Sequence, residues 1–358
     1  SRSVGVVESL LSDELRDDFL AENTKQQAKL VASYKGRNQK LVPYKESLEK
    51  RFSTDWENVR IDRPEFTGTR VLEDFPISEI RQYIDWSPFF MTWELKGKYP
   101  KIFDDPVVGD EARKVFDDAN QLLDTIEADG SVKASAAYGF WPAASDGDDV
   151  IVFTDESRTE ELTRFHFLRQ QWERKGQPDF RSLADYVAPV DSGRADYVGG
   201  FVVTAGIGAE QLAESFKQQG DDYNAIMVQA VADRCAEAFA ELLHQKARKQ
   251  WAYGNEENLS SEQLINEEYR GIRPAAGYPA CPEHTAKRTL FDLLDAEKNT
   301  TVELTSSFAM TPAAAVSGLY FAHPDAKYFA VDRVTKDQIE DYAKRKGESL
   351  ASVEKWLS

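Results

Sequence analysis

Ten residues constrain this fold more than any others: Arg273-Pro274-Ala275-Ala276-Gly277-Tyr278-Pro279-Ala280-Cys281-Pro282. Proline lacks an amide hydrogen and locks φ. Three prolines and a glycine in ten residues therefore exclude both a helix and a central strand. A rigid loop is what remains. Its small residues let a ligand approach backbone groups closely. Arg273 can make a forked contact to a carboxylate, and Tyr278 can stack on a cation or a ring. A ligand loop and a merely structural turn both remain open on these residues, but a structural turn has no need of Arg and Tyr bracketing it.

The elements around this loop do not form a βαβ series. The periodicity predicts helices over Ile77–Ile84, Asp110–Ile126, Phe165–Arg174, Glu262–Tyr269, Leu290–Leu294, Asp337–Lys346 and Ser352–Leu357. The longest runs from Tyr223 to Lys249, with Ile226, Met227, Ala230, Val231, Ala238, Leu242 and Leu243 on one side. Strands are expected at Ala134–Phe140, Val150–Phe153, Tyr197–Thr204, Leu304–Met310, Val316–Phe321 and Tyr328–Val331, with a turn at Ser145–Asp148 and a bulge signal at Gly199-Gly200. Pro64 to Phe75 supplies short extended segments. The first 35 residues are polar and helix-forming, with Ser12 as an N-cap, and Gly36 to Pro43 reads as a basic, irregular linker. Helices mixed irregularly with clusters of strands indicate an α+β fold.

Charge excludes several functions. The 358 residues carry 44 Lys and Arg against 62 Asp and Glu, a net −18, and the pI is about 4.8. Such a surface repels nucleic-acid phosphates and anionic membranes, and no basic cluster offsets it. No apolar run reaches the roughly 18 residues of a membrane span. The start lacks an initiator Met and a signal pattern, so a fragment of a longer chain is expected. Two cysteines, Cys235 and Cys281, make no disulfide framework and point to a reducing cytoplasm. With four scattered histidines they make no zinc site either.

Three further patterns invite chemistry. Gly206-Ile207-Gly208 follows a strand, but Gln211 replaces the third glycine of a dinucleotide fingerprint and no βαβ unit surrounds it. Asp233, Glu237 and Glu241 recur every four residues, with His244 three further on. That ridge suits a carboxylate metal site, a solvated acidic face, or one buried functional carboxylate, because the apolar stripe does not lie cleanly opposite. The run Asp85-Trp86-Ser87-Pro88-Phe89-Phe90-Met91-Thr92-Trp93 reads first as core. Asp85 at its edge is suited to an amine or sulfonium. No Ser/His/Asp or Cys/His constellation suggests a nucleophile.

Together, Asp85 through Trp93, Asp221-Asp222-Tyr223-Asn224, Arg273 through Thr285 and Ser306-Ser307-Phe308-Ala309-Met310 resemble the activation domain of cobalamin-dependent methionine synthase. The resemblance covers roughly residue 36 to the end, and it implies that 1–35 are the tail of the preceding cobalamin module plus a linker. It implies a single C-shaped α+β domain, a twisted antiparallel sheet with flanking helices and no Rossmann fold. The implied role is to bind S-adenosylmethionine over the cobalamin module of the same chain. Inactive cob(II)alamin is then reduced by an electron donor such as flavodoxin and remethylated. An acidic flavodoxin would need a local basic face here. Cobalamin and zinc belong to other modules. Neither the Asp-x-His-x-x-Gly cobalt-ligand motif, a zinc-thiolate site nor a folate barrel is visible, so the fragment alone is not expected to make methionine.

The resemblance also implies a ligand set. Arg273 pairs with the methionyl carboxylate. Ala275, Gly277 and Tyr278 surround the ligand. Asp85 and Glu237 meet its polar groups, and Tyr328 and Phe329 line the same groove. Ala276 stands where proline is common in the family. No side chain is expected to act as a catalytic acid or nucleophile, and no metal is expected in this fragment. The rival readings are a non-catalytic docking module for a redox partner and a carboxylate metal hydrolase on the Asp233/Glu237/Glu241/His244 ridge.

Overall fold

Lys133 to Asp146 form one long strand, and its twelve central residues are all buried. Such a strand must be covered on both faces, because Ala, Tyr, Phe and Trp alternate along it without a polar side. A computed structural model describes residues 2–36, 40–174 and 176–357. Its helices are α1 (Arg2–Leu11), α2 (Arg16–Gly36), α3 (Tyr44–Glu49), α4 (Ile77–Ile80), α5 (Ser87–Thr92), α6 (Gly109–Asp129), α7 (Ala209–Gln218), α8 (Asp222–Gln250), α9 (Ser261–Ile265), α10 (Ala286–Leu294), α11 (Ala296–Thr300), α12 (Lys336–Lys346) and α13 (Leu350–Leu357). The strands are β1 (Gly68–Leu72), β2 (Lys133–Asp146), β3 (Asp149–Phe153), β4 (Glu161–His166), β5 (Asp196–Ile207), β6 (Glu303–Leu304), β7 (Met310–Thr311) and β8 (Ala315–Tyr320). No helix among the described residues is long and apolar enough to cross a membrane.

Six strands form one open antiparallel sheet in the order β4-β3-β2-β5-β8, with β1 paired to β2 beside β3. The alternation of side chains sorts the sheet into two cores. Ala136, Tyr138, Phe140, Phe201 and Val203 face α6 and α8. Ala137, Trp141, Ala143, Val198 and Val202 face α10 and the segment 183–187. The expected α+β architecture with helices flanking an antiparallel sheet is what the chain adopts.

Helix α8 is the main support of the site. Asp221 caps it through the Asn224 amide at 3.0 Å, while Arg248 and Lys249 sit in its last turn, where a cation complements the helix dipole. It packs on β5, β8, α7 and η1 (Arg81–Tyr83), and so is buried around most of its circumference. That is why its apolar pattern does not form one clean stripe.

Several local expectations are corrected. Phe165–Arg174 is not a helix. It finishes β4 and continues as extended chain through single bridges at Arg169–Ser182 and Leu41–Trp172. Its fully buried Arg169 bonds Asp148 and Asp185, a tertiary demand that overrides local helical spacing. Tyr328–Val331 joins no ladder; the Val331 amide donates to the Pro279 carbonyl at 2.8 Å instead. Leu304–Met310 turns back on itself between β6 and β7. The helix expected over Glu262–Tyr269 ends at Ile265, before Glu267 takes a positive φ of 56°. Gly199 and Gly200 mark no bulge, since the β5 register runs straight through them. They mark close approach: a Cβ on Gly200 would lie 2.6 Å from Leu290. Ile226, placed on the apolar side of the long helix, is 46% exposed. Part of the expected linker, 37–39, lies outside the described residues.

Candidate functional site

The loop from Arg273 starts where a bridge between Ile272 and Phe321 fixes it beside the end of β8. The Leu319 amide then donates to the Pro274 carbonyl at 2.9 Å. Farther along, the Gly277 amide donates to the Cys281 carbonyl and the Cys281 amide to the Tyr278 carbonyl, closing a tight turn. Gly277 is required there. Its φ is 91°, and a Cβ would lie 2.2 Å from the His284 ring.

This loop walls a cavity of about 480 Å³ lined by Glu237, Glu267, Arg273, Pro274, Ala275, Tyr278, Pro279, Ala280, Val316, Tyr328, Phe329 and Ala330. Six of the eight residues singled out from the sequence therefore converge on one space, from three separate chain segments. Gly277 sits within the turn beside it rather than on its wall. Asp85 is not among the lining residues. It is half-buried, and its carboxylate accepts the Ser87 amide at 2.9 Å, at the start of α5. Trp86, Phe89 and Phe90 of that block are core side chains.

The charges are arranged in depth. Glu237 is exposed at the cavity wall, and one turn further along α8 Glu241 is buried. Glu241 Oε2 lies 2.6 Å from Arg273 Nη1. The same nitrogen donates to the Tyr269 hydroxyl at 2.5 Å and approaches His244 Nδ1 at 3.3 Å. The Arg273 amide donates to the Tyr328 hydroxyl at 3.0 Å, which ties the loop to the opposite wall. Burial pushes the Glu241 carboxyl up, against the pull of Arg273 and Arg248. Burial also drives His244 well below its ordinary range, aided by the same two arginines, so its ring is neutral. Burial alone would lower Arg273, but Glu241, Tyr269 and Tyr328 outweigh it and hold the guanidinium charged.

The acidic ridge thus divides into three roles: Asp233 is exposed, Glu237 meets the cavity and Glu241 is committed to Arg273. Among the described residues no three His, Cys, Asp or Glu side chains are grouped to hold a metal ion. Both cysteines are buried and their thiols pushed up to about 12 by burial, which makes them poor nucleophiles. In the sequence Glu267 and Tyr269 carry only a helical spacing, and nothing there distinguishes Glu241 within the ridge. Its spacing from Glu237 was visible, but the partner on the loop was not.

The site can bind a zwitterionic, ring-bearing ligand. Arg273 suits a carboxylate, Glu237 and Glu267 suit a cation, and Tyr278, Tyr328 and Phe329 supply aromatic faces. Residues 76–347 match the family described as vitamin B12 dependent methionine synthase, activation domain. A solved structure described as the MetH reactivation domain bound to AdoHcy is 51% identical, with a TM-score of 0.86 over 88% of this chain and 97% of that one.

Proposed function

The chain belongs to the family of vitamin B12-dependent methionine synthase activation domains, and on that premise we propose that its cavity binds S-adenosylmethionine for reductive remethylation of a cobalamin held by another module. The convergence of Arg273, Glu237, Tyr278, Tyr328 and Phe329 on one cavity carries the proposal. In this reading Arg273 takes the methionyl carboxylate. Glu237 favours a ligand that carries a positive charge, and Ala275 and Gly277 let the ligand approach the loop backbone. Tyr278, 63% exposed, offers its ring at the cavity mouth. Asp85 is retained in the ligand set on the resemblance.

The bound sulfonium supplies the methyl group; the chain's own residues bind and orient it. The electron comes from a separate donor such as flavodoxin. In the full enzyme the methyl group then passes to homocysteine in methionine biosynthesis, in the cytoplasm. We place the activation unit at 36–358, with 1–35 belonging to the tail of the cobalamin module and its linker. S-adenosylhomocysteine, which shares the carboxylate, ammonium and adenosine, is expected to compete for the same cavity.

Calorimetric titration tests the proposal. One S-adenosylmethionine should bind per chain, and S-adenosylhomocysteine should displace it. A flat titration with both ligands overturns it.

A further inference from the structure

Arg273 reaches the cavity already partnered. Both hydrogen bonds of its guanidinium among the described residues run through Nη1, to Tyr269 at 2.5 Å and His244 at 3.3 Å, and the same nitrogen lies 2.6 Å from Glu241. None of these three residues lines the cavity. A guanidinium anchored at Nη1 keeps its other edge, formed by Nε and Nη2, for a forked contact. Those two N–H groups point in parallel and match the two oxygens of one carboxylate.

From this geometry we infer that Glu241 is the positioning residue for Arg273, fixing the guanidinium so that its Nε/Nη2 edge meets the ligand carboxylate. The inference deepens the proposed function and rests on it. Two observations support it. Glu241 is only 7% exposed, and its second oxygen, Oε1, has no hydrogen-bond partner. A buried carboxylate with one oxygen unsatisfied is costly, and the ion pair with Arg273 offsets that cost. Glu241 also lies four residues after Glu237, on the same face of α8. One helix face therefore places the acid that meets the ligand and, behind it, the acid that aims the arginine. Without Glu241, Arg273 regains rotamers that must be ordered again on binding, and binding weakens by that cost.

The test compares two ligands in the intact chain. S-adenosylhomocysteine carries the carboxylate and the ammonium; 5′-methylthioadenosine keeps the adenosine and thioether without either, and the Arg273→Ala background separates the carboxylate's share. Glu241→Gln should weaken S-adenosylhomocysteine about ten-fold and leave methylthioadenosine within about two-fold. In an Arg273→Ala background Glu241→Gln should add no further loss for either ligand, because the group it positions is gone. Glu241→Asp, which keeps the charge on a shorter arm, should fall between wild type and Gln, and serves if the Gln variant fails to fold. Equal losses for both ligands would mean that Glu241 only maintains the fold, and overturn the inference. So would unchanged affinities. If wild-type protein binds neither ligand, the cavity assignment itself fails, an outcome distinct from Glu241 failing within a working site.

Discussion

An arginine already anchored through one nitrogen loses less freedom when a carboxylate arrives. Arg273→Ala should therefore cost more S-adenosylmethionine affinity than any other substitution in its loop, roughly 1.5–3 kcal/mol or about ten- to a hundred-fold. Arg273→Lys should restore only part, because an ammonium cannot reach Glu241 and fork a carboxylate at once. Unchanged calorimetric affinity in a folded alanine variant would refute the assignment. Glu237→Gln should weaken the sulfonium ligand more than S-adenosylhomocysteine if Glu237 senses the sulfonium, and both equally if it holds the ammonium. Asp85→Asn belongs in the same titration: if neither affinity changes, its carboxylate serves only the start of α5, where it binds the Ser87 amide.

At the scale of elements, β5 begins with a buried charge. Asp196 accepts the Ala188 amide at 2.9 Å and the Tyr197 amide at 2.8 Å, yet burial pushes its carboxyl up to about 6 from an ordinary 3.8. Between these values the native state holds a proton that the unfolded chain has released. Stability from this group is therefore full below pH about 4 and falls as pH rises toward about 6. The loss is on the order of 2–3 kcal/mol. Asp196→Asn cannot titrate, so the stability gap between wild type and variant should change across that window by urea unfolding at successive pH values. Parallel curves would mean that Asp196 titrates as an ordinary acid. The neighbouring glycines of β5 illustrate the same limit of local reading. Gly199 and Gly200 signal an irregular strand by composition, but the sheet needs them because side chains from Phe140, Tyr320 and Leu290 occupy the space a Cβ would take.

At the scale of the molecule, the two N-terminal helices stand apart. Helices α1 and α2 pack chiefly on each other, and Val7, Leu11 and Leu30 remain 52%, 76% and 60% exposed. The two cores of the sheet do not draw on either helix. Removing residues 1–35 should leave ligand affinity unchanged and shift the melting temperature by less than about 2 °C. A large fall in either would show that the unit proposed at 36–358 is drawn too tightly.

The fold class, the central helix and the irregular course of the proline loop were legible in the sequence because each rests on local chemistry. Apolar spacing specifies α8, and three prolines deny the loop any regular structure. The family blocks pointed to eight candidate residues, and six of them meet in one cavity. What local chemistry could not specify was partnership. Glu241 looked equivalent to Asp233 and Glu237 until the packing of α8 buried it and brought Arg273 alongside. The segment at Phe165–Arg174 looked helical until Arg169 found two carboxylates distant in sequence. Ion pairs between distant segments depend on which faces the cores bring together, and only the assembled sheet and helices determine that.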